Sequence, residues 1–470
     1  MRIALINLEI YMVFSSLVFL LMFLPAVVII NFILPPRFRN IFLLAANFIF
    51  YAYGEPVYVL LMIASILVNY ASALYIDKTS SYLRRKAMLV LNVVLNIGAL
   101  CFFKYTVLLM DTLRVIPVLR EIPAFNIVLP IGISFYTFQA MSYVIDVYRG
   151  DCRSSKSFVN FAAYISLFPQ LIAGPIVRYT DVERKIRERH VSYVMFSNGV
   201  KLFIIGLCKK VLLANQFGMV WDEVSSSVAT FGTIGAWVGA FAYTLQIYFD
   251  FAGYSDMARG LGKMLGFDFC INFSYPYISR SITEFWRRWH ISLSTWFKDY
   301  VYIPLGGNRK GILRQILNIL IVWALTGLWH GAGWNFAAWG VYYGILLILE
   351  KLVCGKFLAR MPKTICHIYT LLVVVVGWIF FASPTFSDAF SYLKAMFVIN
   401  GNSAFSLMPY LTTFAVGIVA ATPLGAALWG NLRVKYRTGS MEIILCIIGF
   451  VLCMASLITE SYNPFLYFRF

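Results

Sequence analysis

The stretch FWRRWHISLSTWFKDYVYIPLGGNRKG, residues 285–311, places charge, aromatic rings and a histidine in the middle of an apolar chain. Of the 470 residues, 61% are hydrophobic and only 13% are charged, and the mean hydropathy is +0.77. A water-soluble fold has too little interior to bury so much apolar surface, so the composition indicates that a lipid bilayer surrounds most of the chain. The charged stretch is then expected to lie where the chain leaves the lipid.

Apolar segments recur from one end of the chain to the other, and no long polar segment separates them. Because backbone groups in lipid must satisfy their own hydrogen bonds, this pattern predicts an all-α polytopic membrane protein, with residues 1–470 as one transmembrane domain. We predict roughly 11 crossings, since some candidates are too short to cross an apolar layer of about 30 Å and resemble half-helices or re-entrant segments. The candidate spans are 12–34, 40–53, 57–76, 87–103, 127–147, 158–173, 194–213, 230–251, 315–328, 335–352, 368–382, 407–428 and 441–458.

Lysines and arginines orient the predicted spans, because loops rich in these residues stay in the cytoplasm. The loop 77–86 carries Lys78, Arg84, Arg85 and Lys86 and is predicted to be cytoplasmic. Both chain ends are then predicted to lie outside, and the first apolar run shows no cleavage pattern of a signal peptide. The net charge of +18 fits cytoplasmic loops and contact with anionic lipid, and we expect no nucleic acid partner.

The opening stretch has features of a short helical element that stops at a turn. Glu284 and Arg288 are four residues apart and are predicted to pair on a helix. Pro304 and the pair Gly306–Gly307 are predicted to end the helix. The stretch is therefore predicted to be re-entrant or to lie on the cytoplasmic surface, with aromatic side chains that anchor it at the membrane interface: Phe285, Trp286, Trp289 and Trp296.

The basic side chains of this stretch have two interpretations. Their guanidinium and ammonium groups suit the phosphates of a donor such as a coenzyme A thioester. Alternatively they form a solvated surface that faces anionic lipid, which is the interpretation that charge alone favours. The residues concerned are Arg287, Arg288, Lys298, Arg309 and Lys310.

The chain has four histidines, and His330 is the strongest candidate for a catalytic group. It lies in LTGLWHGAGWNFAAWG, between two apolar segments, and an ionisable side chain at membrane depth usually faces a cavity. An imidazole takes up and returns a proton near neutral pH, as a general base must. A hydrogen-bonded packing histidine is the alternative. His190 and His367 lie near predicted span ends, where an interfacial role is the simpler interpretation.

Small and aromatic residues flank His330 in the sequence. The glycines leave room for close approach of a backbone or a ligand, and the tryptophans are candidates for the walls of a tunnel. These residues are Gly327, Gly331 and Gly333, and Trp329, Trp334 and Trp339.

An ordered set of motifs resembles the membrane-bound O-acyltransferase (MBOAT) family, and most of all the bacterial branch that includes alginate O-acetylation proteins. The set begins with MVFSSLVFLLMFLP near the start of the chain and ends with NPFLYFRF. Between these lie LPIGISFYTFQAMSYVIDVYRG, FPQLIAGPIVRY, YFDFAGYSDMARGLGKMLGF, the opening stretch and LTGLWHGAGWNFAAWGVYYG. The motifs extend over nearly the whole chain, which makes the resemblance specific.

This resemblance implies a ring of helices around a central tunnel, in the cytoplasmic membrane of a bacterium. It implies transfer of an acetyl group from cytoplasmic acetyl-CoA, which is a substrate and not a bound cofactor, for O-acetylation of an exported or cell-wall polysaccharide. Its conserved histidine corresponds to His330, and its second polar position to His290, whose role as a chemical or a positioning group stays open. Substrate contacts are expected from Trp329, Trp334, Asn335, Arg287, Arg288, Lys298 and Arg309. A separate extracytoplasmic protein is expected to complete the transfer.

Two other functions remain open at this point. Within the same family, D-alanyl transfer to teichoic acid from a carrier protein is the alternative. In a different class, a proton-coupled transporter would use a histidine as a proton relay, although the inverted repeats common in transporters are not evident in the sequence.

Overall fold

The computed structural model describes residues 12–120, 123, 127–398, 406–436, 439–460 and 462–466. In these ranges the chain forms helices and turns and no β-strand, which confirms the all-α prediction. The α-helices are Leu24–Ile33, Pro36–Gly54, Tyr58–Lys78, Tyr82–Leu113, Ile133–Arg149, Phe158–Ile165, Phe168–Leu171, Tyr179–Arg187, Tyr193–Cys208, Asn215–Ser226, Val228–Met264, Ile282–Arg288, Ile291–Phe297, Ile312–His330, Trp334–Leu349, Gly355–Leu358, Lys363–Ala382, Phe386–Phe397, Leu411–Ala420, Leu424–Tyr436 and Gly439–Thr459. Turns of π-helix occur at Phe19–Phe23, Lys209–Ala214, Lys298–Tyr302 and Glu350–Cys354.

Among the described residues, seven helices are long and apolar enough to cross a membrane, or eight if the pair Met408–Ala420 and Leu424–Leu432, bent by 73°, counts as one span. This confirms a multi-pass membrane protein, while the count of about 11 crossings and the orientation of the chain ends stay predictions. The seven are Tyr58–Lys78, Tyr82–Leu113, Tyr193–Ser226, Ile312–His330, Trp334–Leu358, Lys363–Ala382 and Gly439–Thr459.

The candidate span 158–173 is not a continuous helix. It forms the separate helices Phe158–Ile165 and Phe168–Leu171, of 8 and 4 residues, and the second begins with a proline at its first turn. Neither is long enough to cross a bilayer, because a helix rises only about 1.5 Å per residue. Apolar composition alone predicted a span here, since it does not detect a break in the backbone.

The chain forms two compact units, and the first comprises Met1–Phe203 and Asp256–Cys270. Buried amides join its helices: the side chain of Asn47 donates to the carbonyl oxygen of Ala163 and accepts from the backbone N–H of Phe168. Asn69 likewise bonds to Asn92 and Asn96 at 3.1 and 3.0 Å. Polar contacts of this kind hold helices together where lipid removes the hydrophobic driving force.

The second unit comprises Ile204–Ser255 and Ile271–Phe470, and an aromatic core dominates it. The ring of Trp286 lies 4.7 Å from that of Trp323 and 4.8 Å from that of Tyr343, and Trp289 lies 4.8 Å from Trp378. The aromatic residues of the opening stretch, including Phe285 and Trp296, are buried inside the protein. The prediction that they anchor at the membrane interface is therefore wrong, because other aromatic rings in the same unit cover them.

The helices Ile312–His330 and Trp334–Leu349 pack closely because glycines face each other. A Cβ atom at Gly327 would lie 2.2 Å from the carbonyl oxygen of Phe336, and one at Gly340 would lie 2.2 Å from that of Trp323. Small residues at such crossings let two backbones approach each other. Gly327 therefore serves backbone packing, and this packing fixes the end of the helix that carries His330.

The opening stretch contains two short helices and a π-helical turn, and its helical part ends before the glycine pair, as predicted. Glu284 and Arg288 pair at 3.0 Å, and Gly306 and Gly307 adopt positive φ angles of 106° and 55° after the helical part ends. The buried carboxylate of Glu350 accepts the backbone N–H groups that begin helix Ile282–Arg288, at 2.6 and 2.9 Å. This cap satisfies two donors that a helix start leaves open, and it fixes the position of the stretch within its unit.

Candidate functional site

His330 is the last residue of helix Ile312–His330 and is 5% exposed. The rings of Trp339 and Phe381 stand edge-on to its imidazole, each at 5.2 Å. Gly331 follows in extended conformation, so the helix ends at the histidine. The imidazole is thus held in an apolar, aromatic setting by the close packing of its helix.

His290 is buried to 2% exposure and joins helix Ile282–Arg288 to helix Ile291–Phe297. Its backbone is left-handed, with φ 45° and ψ 54°, which costs a non-glycine residue on the order of 1–3 kcal/mol. Two backbone hydrogen bonds hold this turn: Ile291 donates to the carbonyl of Asn272, and Ser274 donates to that of Arg288, both at 3.0 Å. Strain that the surrounding structure enforces in this way is common at functional sites.

Asn272 determines which nitrogen of His290 carries the proton. Its Oδ1 accepts the backbone N–H of Ser292 at 3.1 Å, so this atom is the amide oxygen and not the nitrogen. The same oxygen lies 3.3 Å from Nδ1 of His290, which must therefore be the protonated ring nitrogen. The lone pair of His290 then sits on Nε2, which is buried without a hydrogen-bond partner among the described residues.

The setting of His290 keeps its imidazole neutral. The residue lies outside the candidate membrane spans, and burial lowers its pKa to about 3. A general base works best when its pKa is near the operating pH, so His290 is a poor proton acceptor although its Nε2 accepts a hydrogen bond well. This neutral, buried state bears on the role of His290, which the sequence left open.

Trp329 lies against both histidines. Its ring is 5.0 Å from that of His330 and 5.9 Å from that of His290, and its side chain is buried. The structure thus brings together two candidates that are 40 positions apart in the sequence.

His330 lines a narrow cavity of about 20 Å³ within the second unit. The volume is enough for a water molecule. Nearly all of the lining is apolar. The lining residues are Ile247, Asp250, Phe251, Trp289, His330, Trp378, Phe381, Phe465 and Leu466.

The other predicted substrate contacts have different positions. Asn335 is buried and donates to the carbonyl oxygen of Ser383 at 2.9 Å, which ties two helices beside the cavity. Trp339 is buried against His330, as a wall residue would be. Trp334 is 56% exposed and is not among the residues that line the cavity.

Among the predicted donor contacts, Arg287 lines a cleft of the second unit, whereas Arg288, Lys298 and Arg309 do not line this cleft. The cleft has a volume of about 670 Å³, and four basic residues are among those that line it: Arg280, Arg287, Lys351 and Lys363. Two acidic residues also line it: Glu350 accepts the backbone N–H groups of Ile282 and Thr283, and Glu284 pairs with Arg288. The cleft is thus a positively charged opening next to the helix that leads to His290.

The other basic residues of the stretch lie elsewhere. Arg288 is held by the carboxylate of Glu284 and by the carbonyl oxygen of Ser274, at 3.0 and 3.1 Å. Lys298 and Arg309 are exposed and do not line the cleft. Charge in the sequence identified the region, but side-chain direction separates Arg287 from the rest.

Sequence reasoning missed Asn272 and three of the four basic residues that line the cleft. Arg280, Lys351 and Lys363 lie up to 83 positions apart, so no local motif contains them. Asn272 shares no spacing pattern with His290. The only available signal was that a buried imidazole needs a partner for each nitrogen, and this signal does not identify the partner.

Comparison with known proteins places this arrangement in context. The profile of the family MBOAT, membrane-bound O-acyltransferase family, matches residues 152–387, which include both histidines and the cleft. The chain is 38% identical to a probable alginate O-acetylase of Pseudomonas putida, over 98% of this chain and 100% of the relative. It is 34% identical to a peptidoglycan O-acetyltransferase of Helicobacter pylori, over 83% of this chain and 81% of the relative. It is 30% identical to a teichoic acid D-alanyltransferase of Streptococcus thermophilus, over 47% of this chain and 56% of the relative.

Proposed function

Because the chain belongs to the membrane-bound O-acyltransferase family, we propose that it moves an acetyl group from cytoplasmic acetyl-CoA for O-acetylation of an exported or cell-wall polysaccharide. One observation carries the proposal: within the matched region, two buried histidines flank one tryptophan beside an apolar cavity. Acyl transfer needs a group that accepts a proton and a site that excludes water, and this arrangement offers both.

In the proposed reaction, His330 acts as the general base. It takes the proton from the acceptor hydroxyl while that oxygen attacks the carbonyl carbon of the thioester. The new C–O bond forms, the C–S bond breaks, and the proton passes to the departing thiolate. The aromatic walls around His330 exclude water, which protects the thioester from hydrolysis.

We assign a positioning role to His290. With the proton on Nδ1 held by Asn272, the free lone pair on Nε2 accepts a hydrogen bond from a hydroxyl group. This contact would orient the acceptor oxygen toward the thioester, which is how fixed geometry lowers a barrier. The strained backbone of His290 is consistent with such a demand on position.

The basic cleft is the proposed site for the polar end of the donor. Coenzyme A carries several phosphates, and the arginine fork matches phosphate oxygens in pairs. Arg287 and Arg280 are both exposed at the cleft, so they are accessible to a ligand from water. The proposal requires the cleft to face the cytoplasm, in agreement with the predicted orientation.

Arg287→Ala should raise the KM for acetyl-CoA more than the KM for the acceptor. The substitution removes binding energy far from the reacting carbon, so kcat should change little. We expect an increase of about tenfold in the donor KM, close to the value of one hydrogen bond to a charged group. Steady-state kinetics with each substrate varied in turn measures this effect.

Lys394→Ala provides the matched control, since Lys394 is exposed and lies outside the cleft. This variant removes one positive charge from the same unit and should leave both KM values unchanged. An unchanged donor KM in Arg287→Ala would mean that the donor binds elsewhere.

The names of the relatives support a polysaccharide as the acceptor. Relatives named for O-acetylation of alginate and of peptidoglycan match over most of their length, and the D-alanyltransferase over about half, which favours acetyl over D-alanyl. Both favoured acceptors are polysaccharides outside the cytoplasm. A separate extracytoplasmic protein is therefore proposed to carry the acetyl group onto the polymer.

Proteoliposomes test the proposed function directly. The purified protein is given acetyl-CoA with a radiolabelled acetyl group on one side and alginate or peptidoglycan fragments on the other. We expect release of free coenzyme A and transfer of the label to an acceptor hydroxyl, both lost in His330→Ala. Label that enters the vesicles without release of coenzyme A would indicate a transporter and contradict the proposal, as would activity only with a D-alanyl carrier protein.

A further inference from the structure

Lys210 and Asp250 form a buried ion pair in the second unit. Lys210 Nζ lies 2.6 Å from Asp250 Oδ1, and each side chain is only 3% exposed. Lys210 belongs to the π-helical turn Lys209–Ala214, and Asp250 to helix Val228–Met264. Taking two charges out of water is costly, and apolar residues of similar size often stabilise a protein as well or better. The pair therefore calls for an explanation beyond stability.

Both charged groups also hold one short segment, residues 462–466. Lys210 Nζ donates to the carbonyl oxygen of Pro464, and Asp250 Oδ2 accepts the backbone N–H of Leu466 at 2.8 Å. Bonds to backbone groups fix where a segment lies whatever its side chains are. Charge-assisted hydrogen bonds of this kind are about twice as strong as neutral ones.

Two further contacts attach the same segment upstream. The hydroxyl of Tyr462 donates to Asp222 at 2.8 Å, and the side chain of Asn215 donates to that of Asn463 at 3.3 Å. Gly218 lies between these two helical positions, and a Cβ atom there would lie 2.6 Å from the hydroxyl of Tyr462. The segment is thus fastened along residues 210–222.

The held segment is a wall of the cavity that contains His330. Phe465 and Leu466 line that cavity together with Asp250, and both are 4% exposed. The bond from Leu466 to Asp250 therefore sets how far the wall stands from the catalytic candidate. The small volume of the cavity, about 20 Å³, shows how closely the wall fits.

We propose that Lys210 and Asp250 are positioning residues that clamp segment 462–466 as a wall of the reaction cavity and so limit the size of the acyl group that His330 serves. The clamp follows from the contacts alone, while its effect on acyl size rests on the proposed function. Neither residue needs to touch the reacting atoms.

Hydrogen exchange of the full-length protein in detergent or nanodiscs tests the clamp without any activity measurement. The variant Lys210→Met/Asp250→Leu removes the hydrogen bonds to Pro464 and Leu466 and leaves no unpaired buried charge. We expect amide exchange in peptides that contain Leu466 to become at least tenfold faster, while peptides from helix Gly439–Thr459 stay unchanged. Unchanged exchange at Leu466 would overturn the proposal.

Tyr392→Phe is the matched control. It also removes a buried hydrogen bond in the second unit, from the tyrosine hydroxyl to the carbonyl oxygen of Ala236 at 2.9 Å, but it does not touch the segment. Exchange at Leu466 should match that of the wild type. Equal acceleration in this control would mean that any loss of stability frees the segment, and the clamp would be refuted.

If Lys210→Met/Asp250→Leu does not insert into the membrane, the more conservative double variant Lys210→Gln/Asp250→Asn replaces it. Glutamine is shorter than lysine and does not reach both partners, and the neutral asparagine amide accepts the N–H of Leu466 more weakly than the carboxylate does, so exchange at Leu466 should again be faster than in the wild type. Wild-type exchange in this folded variant would count against the clamp.

The effect of the clamp on the size of the acyl group that is transferred is measured with acetyl-CoA and butyryl-CoA. The ratio of kcat/KM for butyryl over acetyl should rise at least tenfold in the clamp variants and stay constant in Tyr392→Phe. Faster exchange with an unchanged ratio would overturn the wall function. If the wild type transfers neither group while the exchange results hold, the proposed function fails and the clamp stands.

Discussion

His330→Ala is expected to lower kcat for acyl transfer by a factor of about 10²–10⁴, the usual contribution of a general base. The side chain lies beside the cavity in an aromatic setting, and its helix is fixed by close packing at Gly327. Removal of the imidazole leaves no other histidine in the cavity lining to take the proton of the acceptor hydroxyl. Single-turnover transfer from acetyl-CoA measures the effect.

His330→Gln separates chemistry from packing, because glutamine fills much of the same space and accepts no proton. It should be as inactive as the alanine variant, with wild-type elution in size exclusion and wild-type thermal unfolding. His190→Ala, at a histidine of the first unit, should keep full activity. Turnover near that of the wild type in folded His330→Gln would remove His330 from the mechanism.

His290→Ala is expected to lower kcat about 10- to 100-fold, in line with the loss of a hydrogen bond made to a charged or developing charged group. The loss should be smaller in His290→Gln, whose amide oxygen can accept a hydrogen bond in place of Nε2. Since burial lowers the pKa of His290 to about 3, its imidazole is neutral throughout the range from pH 5 to 9. The pH profile of kcat should therefore keep its shape in both variants, and only the maximal value of kcat should be lower.

A change in the acid limb of this profile would show that His290 itself exchanges the proton, contrary to the positioning role.

The lowered pKa of His290 also has a consequence for the stability of the folded protein. A histidine that stays neutral when folded, but takes up a proton near pH 6.5 when unfolded, makes the folded state less stable as pH falls below that value. Thermal stability should thus fall more steeply from pH 7 to pH 5 in the wild type than in His290→Gln.

The opening stretch illustrates how far local sequence reasoning extends. The ion pair of Glu284 with Arg288 and the end of the helical part at Pro304 and the glycine pair depend on neighbours in the chain, and both were predicted correctly. The location of Trp286 and Trp289 was not, because their partners, such as Trp323 and Trp378, come from distant helices. An aromatic residue looks the same in sequence whether lipid headgroups or other rings cover it.

The candidate site shows the same division. His330 was identified because an ionisable group in an apolar setting is costly and needs a reason. Arg287 was named together with four other basic residues, and only the direction of its side chain distinguishes it. Asn272 and the clamp on segment 462–466 were not predicted. Hydrogen bonds between residues up to 254 positions apart produce no repeating pattern in the sequence.

The sequence by itself determined that this chain is helical, lies in a membrane and belongs to its acyltransferase family, because composition, periodicity and ordered motifs are properties of the chain alone. Only the tertiary structure decided which nitrogen of His290 is free, which basic residues form one cleft, and which segment closes the cavity at His330. These features depend on distances between atoms that are remote along the chain, and such distances exist only once the helices have packed.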